Sequence, residues 1–508
     1  MGIIARQSIK ASVVTYVGIF LGIVNQLFII TYFLTPTQVG LITSLINFGA
    51  LFATFAGLGG ASILDKFYNL YQDTPQKSYG FMGLIVRYMA IGFGVFLVTF
   101  VLIKPAFYHL FVQKSPELVG YYYYFIPLTA AVVLQNLFES WCRNQQRIAI
   151  PALMRELLLR LLNMLIIVLY GFDFIDFDAL VYLYVGQYLA LTTALFFYAQ
   201  SIKKIPYRVN WSAYSRGSFQ EMSNFTFYVV LGIVGTSLCT YLDKVMLSAL
   251  SGQAATGIFG IAFMIAQFIE IPKRSLSQIS IPIIAEALRK EDIKAVESMH
   301  QKAALNQLLF SSILLIVIWF SIDDVFGLMA KGQVYMSGKY ALLFLATAKL
   351  IDNAGGFSSE IIGFSKYYRA GLPMQLSLGV LTYFTNTLLI PKYGVTGAGA
   401  ATALTIVSYT ALRAWYVWHQ FKISPYSRQT FKALVIIAVT VFLAYLLPNT
   451  PSSFAPSPLN SVLAIGLRTA ILSAFFGAIL FWSKLSPEIN EIIMQTLGHL
   501  KLTKNTNH

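Results

Sequence analysis

Apolar runs about as long as a bilayer is thick recur along almost the whole of this chain, and no soluble core has room for all of them. A helix rises 1.5 Å per residue, so roughly 20 residues cross the ~30 Å of hydrocarbon. Runs near that length fall at 11–34, 38–62, 80–103, 119–141, 153–171, 179–199, 223–249, 256–272, 305–322, 338–363, 370–390, 396–418, 432–447 and 460–483. Pro, Gly or charge clusters separate them. Of 508 residues, 57% are hydrophobic and 11% charged, where soluble domains carry roughly a quarter. The expected fold class is an all-α polytopic membrane protein of about 14 transmembrane helices.

An even count puts both termini on one side, and the basic residues say which. With the N-terminus inside, twenty-four of the 36 Lys+Arg fall in inner segments, five in outer ones, and seven within spans. That asymmetry is the positive-inside pattern, so both termini are expected in the cytoplasm. The run at 11–34 follows Arg6 and Lys10 and is too long for a cleaved signal, so it is expected to be retained as helix 1. The formal charge of +15 would suggest nucleic acid only on a soluble domain with a basic face, and the pattern holds no such domain. Cys142 and Cys239 are the two cysteines, too few for a disulfide framework or a cysteine-ligated metal. No cofactor and no metal site is expected. The outer loops are short, which argues against a membrane enzyme holding catalytic groups outside. The inner segment 283–304, with Glu286, Arg289, Lys290, Glu291, Asp292 and Lys294, reads either as an amphipathic surface helix or as a plain solvated connector.

The chain also repeats itself. Asn163, Tyr170 and Gly171 match Asn386, Tyr393 and Gly394 at an offset of 223, and Arg143 matches Lys366. The phrase from Leu34 to Gly40 matches that from Leu250 to Gly257. These pairs predict two six-helix lobes, 1–199 and 223–418, joined by a cytoplasmic linker at 200–222. Helices 13 and 14 at 419–483 and a cytoplasmic tail at 484–508 follow. Because six is even, both lobes enter the membrane in the same direction, with a path between them.

Three phrases carry a family resemblance: Leu34-x-Pro36-x-x-x-Gly40, Leu242-Asp243-Lys244-Val-Met-Leu-Ser248 followed by Ala255-Thr-Gly257-Ile-Phe259, and Ile390-Pro-Lys-Tyr-Gly394-Val-Thr-Gly397-Ala. Over about residues 5–420 the chain resembles the multidrug/oligosaccharidyl-lipid/polysaccharide exporter superfamily, and within it the bacterial oligosaccharide (O-antigen type) flippases. The resemblance implies a V-shaped pair of lobes that alternate between inward-open and outward-open states in a bacterial plasma (inner) membrane. The implied cargo is a lipid-linked oligosaccharide, a polyprenyl-pyrophosphate sugar repeat moved between leaflets for lipopolysaccharide or other surface polysaccharide. Membrane lipids, a coupling ion (H+ or Na+) and other polysaccharide-assembly proteins are the implied partners. Lipid II flippases carry arginines in their first two helices, whereas helix 1 here offers only Asn25 and Gln26. Multidrug antiporters of the fold hold an acidic cation site within a lobe, and helix 1 has no carboxylate. An ion-coupled exporter of small cations, with Asp243, Asp352 and Glu360 as coupling groups, remains the second reading.

A charge at the bilayer centre costs at least ~3 kcal/mol on insertion scales, so those retained face a cavity or a partner. Seven basic residues fall in spans (Arg87, Arg155, Arg160, Lys244, Lys349, Arg413 and Arg468) against six acidic ones (Glu139, Glu156, Asp243, Glu270, Asp352 and Glu360). Glu156, Arg160 and Asn163 share a face of helix 5, as a pair or as part of the path. Lys349, Asn353, Gly356 and Glu360 share a face of helix 10 with Asp352 beside it, and that stripe is expected to line the cavity. Lys349 and Asp352 could pair at i, i+3. Asp243 and Lys244 on helix 7 point about 100° apart and need separate partners. Arg413 either joins the path or snorkels to headgroups. Lys273 and Arg274, at the inner rim, either satisfy the positive-inside rule or capture a pyrophosphate headgroup. Asp243, Lys244, Lys349, Asp352, Asn353, Glu360, Glu156, Arg160, Asn163, Arg87 and Arg413 are the candidate substrate path, with Lys273 and Arg274 as the candidate headgroup capture at the inner rim.

Overall fold

The computed structural model describes residues 17–71, 79–206, 208–446 and 458–485, together with Val14; the side chains of Ala213, Arg274, Ser275, Gln278, Ile279 and Pro458 are outside that description. Arg6, Lys10 and the tail beyond 485 therefore lie outside the described residues. The described residues are helices and their connections. They form two compact units, Met1–Gly260 and Ile261–His508.

The first unit holds α1 (Val17–Phe33), α2 (Pro36–Gly57), α3 (Gly60–Tyr71), α4 (Phe81–Phe111) and α5 (Phe125–Asn144). It continues with α6, which starts at Ala149, passes a π-turn at Leu153–Leu158 and resumes over Leu159–Gly171, then α7 (Phe177–Ile202), α8 (Arg216–Ser251) and the first half of α9 (Gln253–Gln267). Thr35 starts α2 with a capping box: its hydroxyl accepts from the Gln38 N–H at 3.3 Å, and the Gln38 side chain accepts from the Thr35 N–H at 2.9 Å. Pro36 follows at N1, where its missing N–H costs nothing. Lipid gives no hydrophobic drive to helix association, so close packing must do the work. Phe48 supplies it, with ring centroids 5.4–5.7 Å from Phe107, Phe111 and Phe125. Gly92 lets α4 approach α2, since a Cβ there would sit 2.6 Å from the Ala56 carbonyl oxygen. The opposite face of α4 carries Ile91, Val95, Val98 and Leu102, all more than half exposed. In water that stripe would be an aggregation surface; in hydrocarbon it is simply solvated.

The second unit holds α10 (Ile271–Arg289), α11 (Ile293–Leu328), α12 (Lys339–Ala354), α13 (Ser358–Phe364), α14 (Gly371–Phe421), α15 (Arg428–Leu446) and α16 (Pro458–Ser483). Gly394, with φ 55° and ψ −126°, splits α14 into two rods. Gly399 brings the second rod against α12, where a Cβ would fall 2.6 Å from the Ala341 Cα. Ten helices are long and apolar enough to cross a membrane among the described residues. The shorter α1, the rods α5 and α6, and the division of α14 account for the rest of the expected fourteen.

Two local expectations fail. The segment 283–304 is not a separate surface helix. Glu291 takes a left-handed turn (φ 56°), and Asp292 caps α11 by accepting from the Ala295 N–H at 3.0 Å, so the segment is the end of α10 and the start of α11. Helix 10 is not continuous either. It breaks at Gly355–Gly356, where Gly356 has φ 58° and the Phe357 N–H donates to Nδ1 of the fully buried His300 at 3.1 Å. A Cβ on Gly356 would meet that nitrogen at 2.9 Å. The stripe from Lys349 to Glu360 is therefore two short faces, not one.

Candidate functional site

Asp352 is the hub of the second unit. Its Oδ2 accepts from Lys273 Nζ of α10 at 2.5 Å. Its Oδ1 accepts from the Arg413 guanidinium and, at 2.9 Å, from the Thr410 hydroxyl, both on α14. Arg413 also donates to Ser359 and stacks on Tyr409, 4.3 Å from the ring centroid. One turn back, Lys349 Nζ pairs with Glu270 Oε2 at 2.8 Å. Asn353 is fully buried and donates to the Ile269 carbonyl at 2.7 Å and to Ser311 Oγ at 2.6 Å. Glu360 accepts from Ser277 Oγ at 2.9 Å.

Six candidate residues, Lys273, Lys349, Asp352, Asn353, Glu360 and Arg413, thus lie in four sets of contacts that together tie α10, α11, α12, α13 and α14. Lys349 does not pair with Asp352; each takes a partner from another helix. Asn353 is engaged with the Ile269 carbonyl and Ser311. Arg413 is 8% exposed and engaged, so it does not snorkel. Lys273 is spent on Asp352, and the Arg274 side chain lies outside the described residues. Removing one member of such a buried pair leaves an uncompensated charge, at a cost of about 3–5 kcal/mol. The network is a rigid brace.

The first unit differs. On α6, Arg160 donates to Glu156 at 2.9 Å and to the Gly18 carbonyl of α1, and a Cβ on Gly22 would collide with its guanidinium. Gln187 of α7 donates to Asn163. On α8, Asp243 is buried, and Lys244 Nζ lies 3.4 Å from Asn47 Oδ1 of α2. Arg87 is exposed and sits over the Trp211 ring, apart from these groups.

Between α2, α3, α5, α6 and α8 lies a cavity of about 460 Å3, with Asp65, Glu139, Arg143 and Arg155 on its wall. Arg143 pairs with Asp65 at 2.8 Å, and Arg155 with Glu139 at 2.6 Å and Glu156 at 3.1 Å. Sequence reasoning counted Arg155 and Glu139 among the intramembrane charges and Arg143 among the inner ones, and left all of them and Asp65 out of the path. The spacing Glu139–Arg143 at i, i+4 on α5 was the available signal.

Apolar rods whose charges meet one another across helices define a polytopic membrane protein, and its fold is that of known transporters. It superposes on a lipid II flippase, MurJ, in an inward closed conformation, with a TM-score of 0.71 and 14% identity over 93% of this chain and 100% of that one. An inward-facing multidrug resistance MATE family transporter of the MOP superfamily gives 0.61 and 13% over 80% and 94%. The chain belongs to the polysaccharide biosynthesis protein family, whose model matches residues 4–288. It is 23% identical over 252 residues to a Haloferax volcanii protein named as a probable low-salt glycan biosynthesis flippase, covering 48% of this chain and 50% of that one. It is 23% identical over 202 residues to a capsular polysaccharide biosynthesis protein of Staphylococcus aureus, covering 40% and 50%. The chain spans about half the length of the curated relatives it matches.

Proposed function

We propose that this protein carries a lipid-linked oligosaccharide from the inner to the outer leaflet of a bacterial plasma membrane for surface polysaccharide synthesis, by alternating access. The observation that carries the reading is the charged cavity of the first unit, about 460 Å3 in volume, set among apolar helices. Such groups are costly inside a bilayer and are retained where a polar passage or ligand needs them. Family membership and the transporter fold support it. Two six-helix lobes with helices 13 and 14 appended, both termini in the cytoplasm, and a cargo of the O-antigen kind complete the proposal. The second unit would act as a braced body, since its candidate charges are engaged with one another.

The test is made in cells of the source species lacking the gene. Lipid-linked repeat units should accumulate and be inaccessible to a membrane-impermeant lectin added to spheroplasts, and expression of the chain should restore both exposure and surface polysaccharide. Normal lectin access in the deletion strain would defeat the reading. An ion-coupled cation exporter would instead change drug accumulation with an ion gradient and leave the glycan untouched.

A further inference from the structure

The cavity of the first unit has a property that the brace of the second lacks: each cation is more open than the anion it pairs with. The side chains of Arg143 and Arg155 are 55% and 49% exposed, whereas those of Asp65 and Glu139 are 37% and 11% exposed. Beside them Gly57, Gly59, Gly60 and Ala61 form a stretch of wall with almost no side chain. The volume lies within the range of small-molecule sites, about 300–1,000 Å3. Two forked guanidiniums on one wall suit bidentate contacts to phosphate oxygens.

The geometry points to a diphosphate site worked by ion-pair exchange, in which Arg143 and Arg155 leave Asp65 and Glu139 for the anion and Glu139 takes up a proton. This rests on the transport reading above and gives it a headgroup site and a coupling ion. The carboxylates keep the guanidiniums in place while the cavity is empty. On exchange they fare differently. Asp65 keeps donors from Ser140 Oγ at 2.7 Å and Asn144 Nδ2 at 3.0 Å, and is the more exposed. Glu139 keeps only Gln135 Nε2 at 3.2 Å among the hydrogen bonds described, and is nearly enclosed. A carboxylate stripped of its cation in such a place is costly as an anion and comfortable as an acid. The groups around it are Gln135, Cys142 and Arg143 of α5, Asp65 of α3, Arg155 and Glu156 of α6, and Tyr241 of α8. With Arg160 on Glu156, three arginines balance three carboxylates before binding, so an added diphosphate leaves an excess of negative charge that a proton reduces.

The test uses the full chain in phosphatidylcholine nanodiscs, titrated calorimetrically near pH 7 in buffers of different ionisation enthalpy. The probes are farnesyl diphosphate, inorganic pyrophosphate and farnesol. Farnesyl diphosphate should bind with uptake of about one proton, and farnesol should not bind. Arg143→Ala and Arg155→Ala should each weaken binding by about tenfold or more. Glu139→Gln should bind without proton uptake. The neutral pair Glu139→Gln with Arg155→Gln, which leaves no charge uncompensated because Glu156 keeps Arg160, should fold and still lose affinity. Pyrophosphate binding as tightly as farnesyl diphosphate would assign the site to the free anion and not to a lipid. Undiminished binding in the arginine variants, proton uptake persisting in Glu139→Gln, or no binding of either diphosphate by the wild type would overturn the site. Binding that depends on the arginines in a protein whose loss leaves surface glycan unchanged would keep the site and defeat the transport reading. Glycan that needs the protein but not these arginines would do the reverse.

Discussion

Gly40 of α2 and Gly257 of α9 meet backbone to backbone. A Cβ built on Gly40 would lie 1.7 Å from the Gln253 carbonyl oxygen, and one built on Gly257 would lie 2.2 Å from the Pro36 carbonyl oxygen. The two glycines close the phrases that the repeat places in register. Around them buried polar groups link up: Ser44 donates to Gln253 Oε1 at 2.8 Å, Gln253 to Ser248 Oγ at 2.7 Å, and Ser115 to the Ser248 carbonyl at 2.6 Å.

Gly40→Ala and Gly257→Ala should therefore push the two helix starts apart and break this chain of hydrogen bonds. Each unmade buried bond costs about 1–3 kcal/mol. Surface polysaccharide in complemented cells should fall sharply for either variant. Ser44→Ala, which alters no backbone contact, should have the milder effect.

Asp352→Ala leaves Lys273 and Arg413 without their shared carboxylate and should destabilise the protein by about 3–5 kcal/mol. The readout is thermal unfolding of purified protein in detergent. Adding Lys273→Met should recover part of the loss, because the pair couples; purely additive losses would refute the hub.

Gly356→Ala meets two obstacles at once, a left-handed backbone and the His300 ring. It should cost more than about 1 kcal/mol. Gly363→Ala, with open space around it, should be near neutral in the same unfolding assay.

Lys244→Ala and Lys349→Ala should separate path from brace. Lys349 is paired with Glu270, so its loss should lower the melting temperature first and transport as a consequence. Lys244, which donates to Asn47 of α2 at 3.4 Å, should on loss lower surface polysaccharide more than it lowers the melting temperature. The opposite pattern would exchange their roles.

The rods were legible from the sequence because hydrocarbon imposes one length and one polarity on each of them. The partners of the charges were not. Periodicity places Lys349 and Asp352 on neighbouring positions of one helix, but their counter-ions are Glu270, just before α10, Lys273 of α10 and Arg413 of α14, and nothing within α12 encodes that meeting. The pair Gly355–Gly356 hid the break in helix 10 because glycine is frequent in membrane helices, and only His300, distant in the sequence, fixes the shape of the turn there. Asp65 escaped for a related reason: beside Lys66 it reads as an ordinary solvated end, yet α3 turns it toward α5. Arg87 showed the converse, since an apolar neighbourhood did not oblige it to face inward and it lies exposed over the Trp211 ring.

The brace has an electrical consequence. With Lys273, Lys349 and Arg413 set against Glu270, Asp352 and Glu360, and Arg468 against Asp324 at 2.5 Å, the ionised groups sum to nothing. Moving one elementary charge through the membrane field takes about 2.3 kcal/mol per 100 mV. These four positive and four negative groups moved together would take almost none, so, on the proposed transport of an anionic lipid, voltage would act on the passenger and not on the brace.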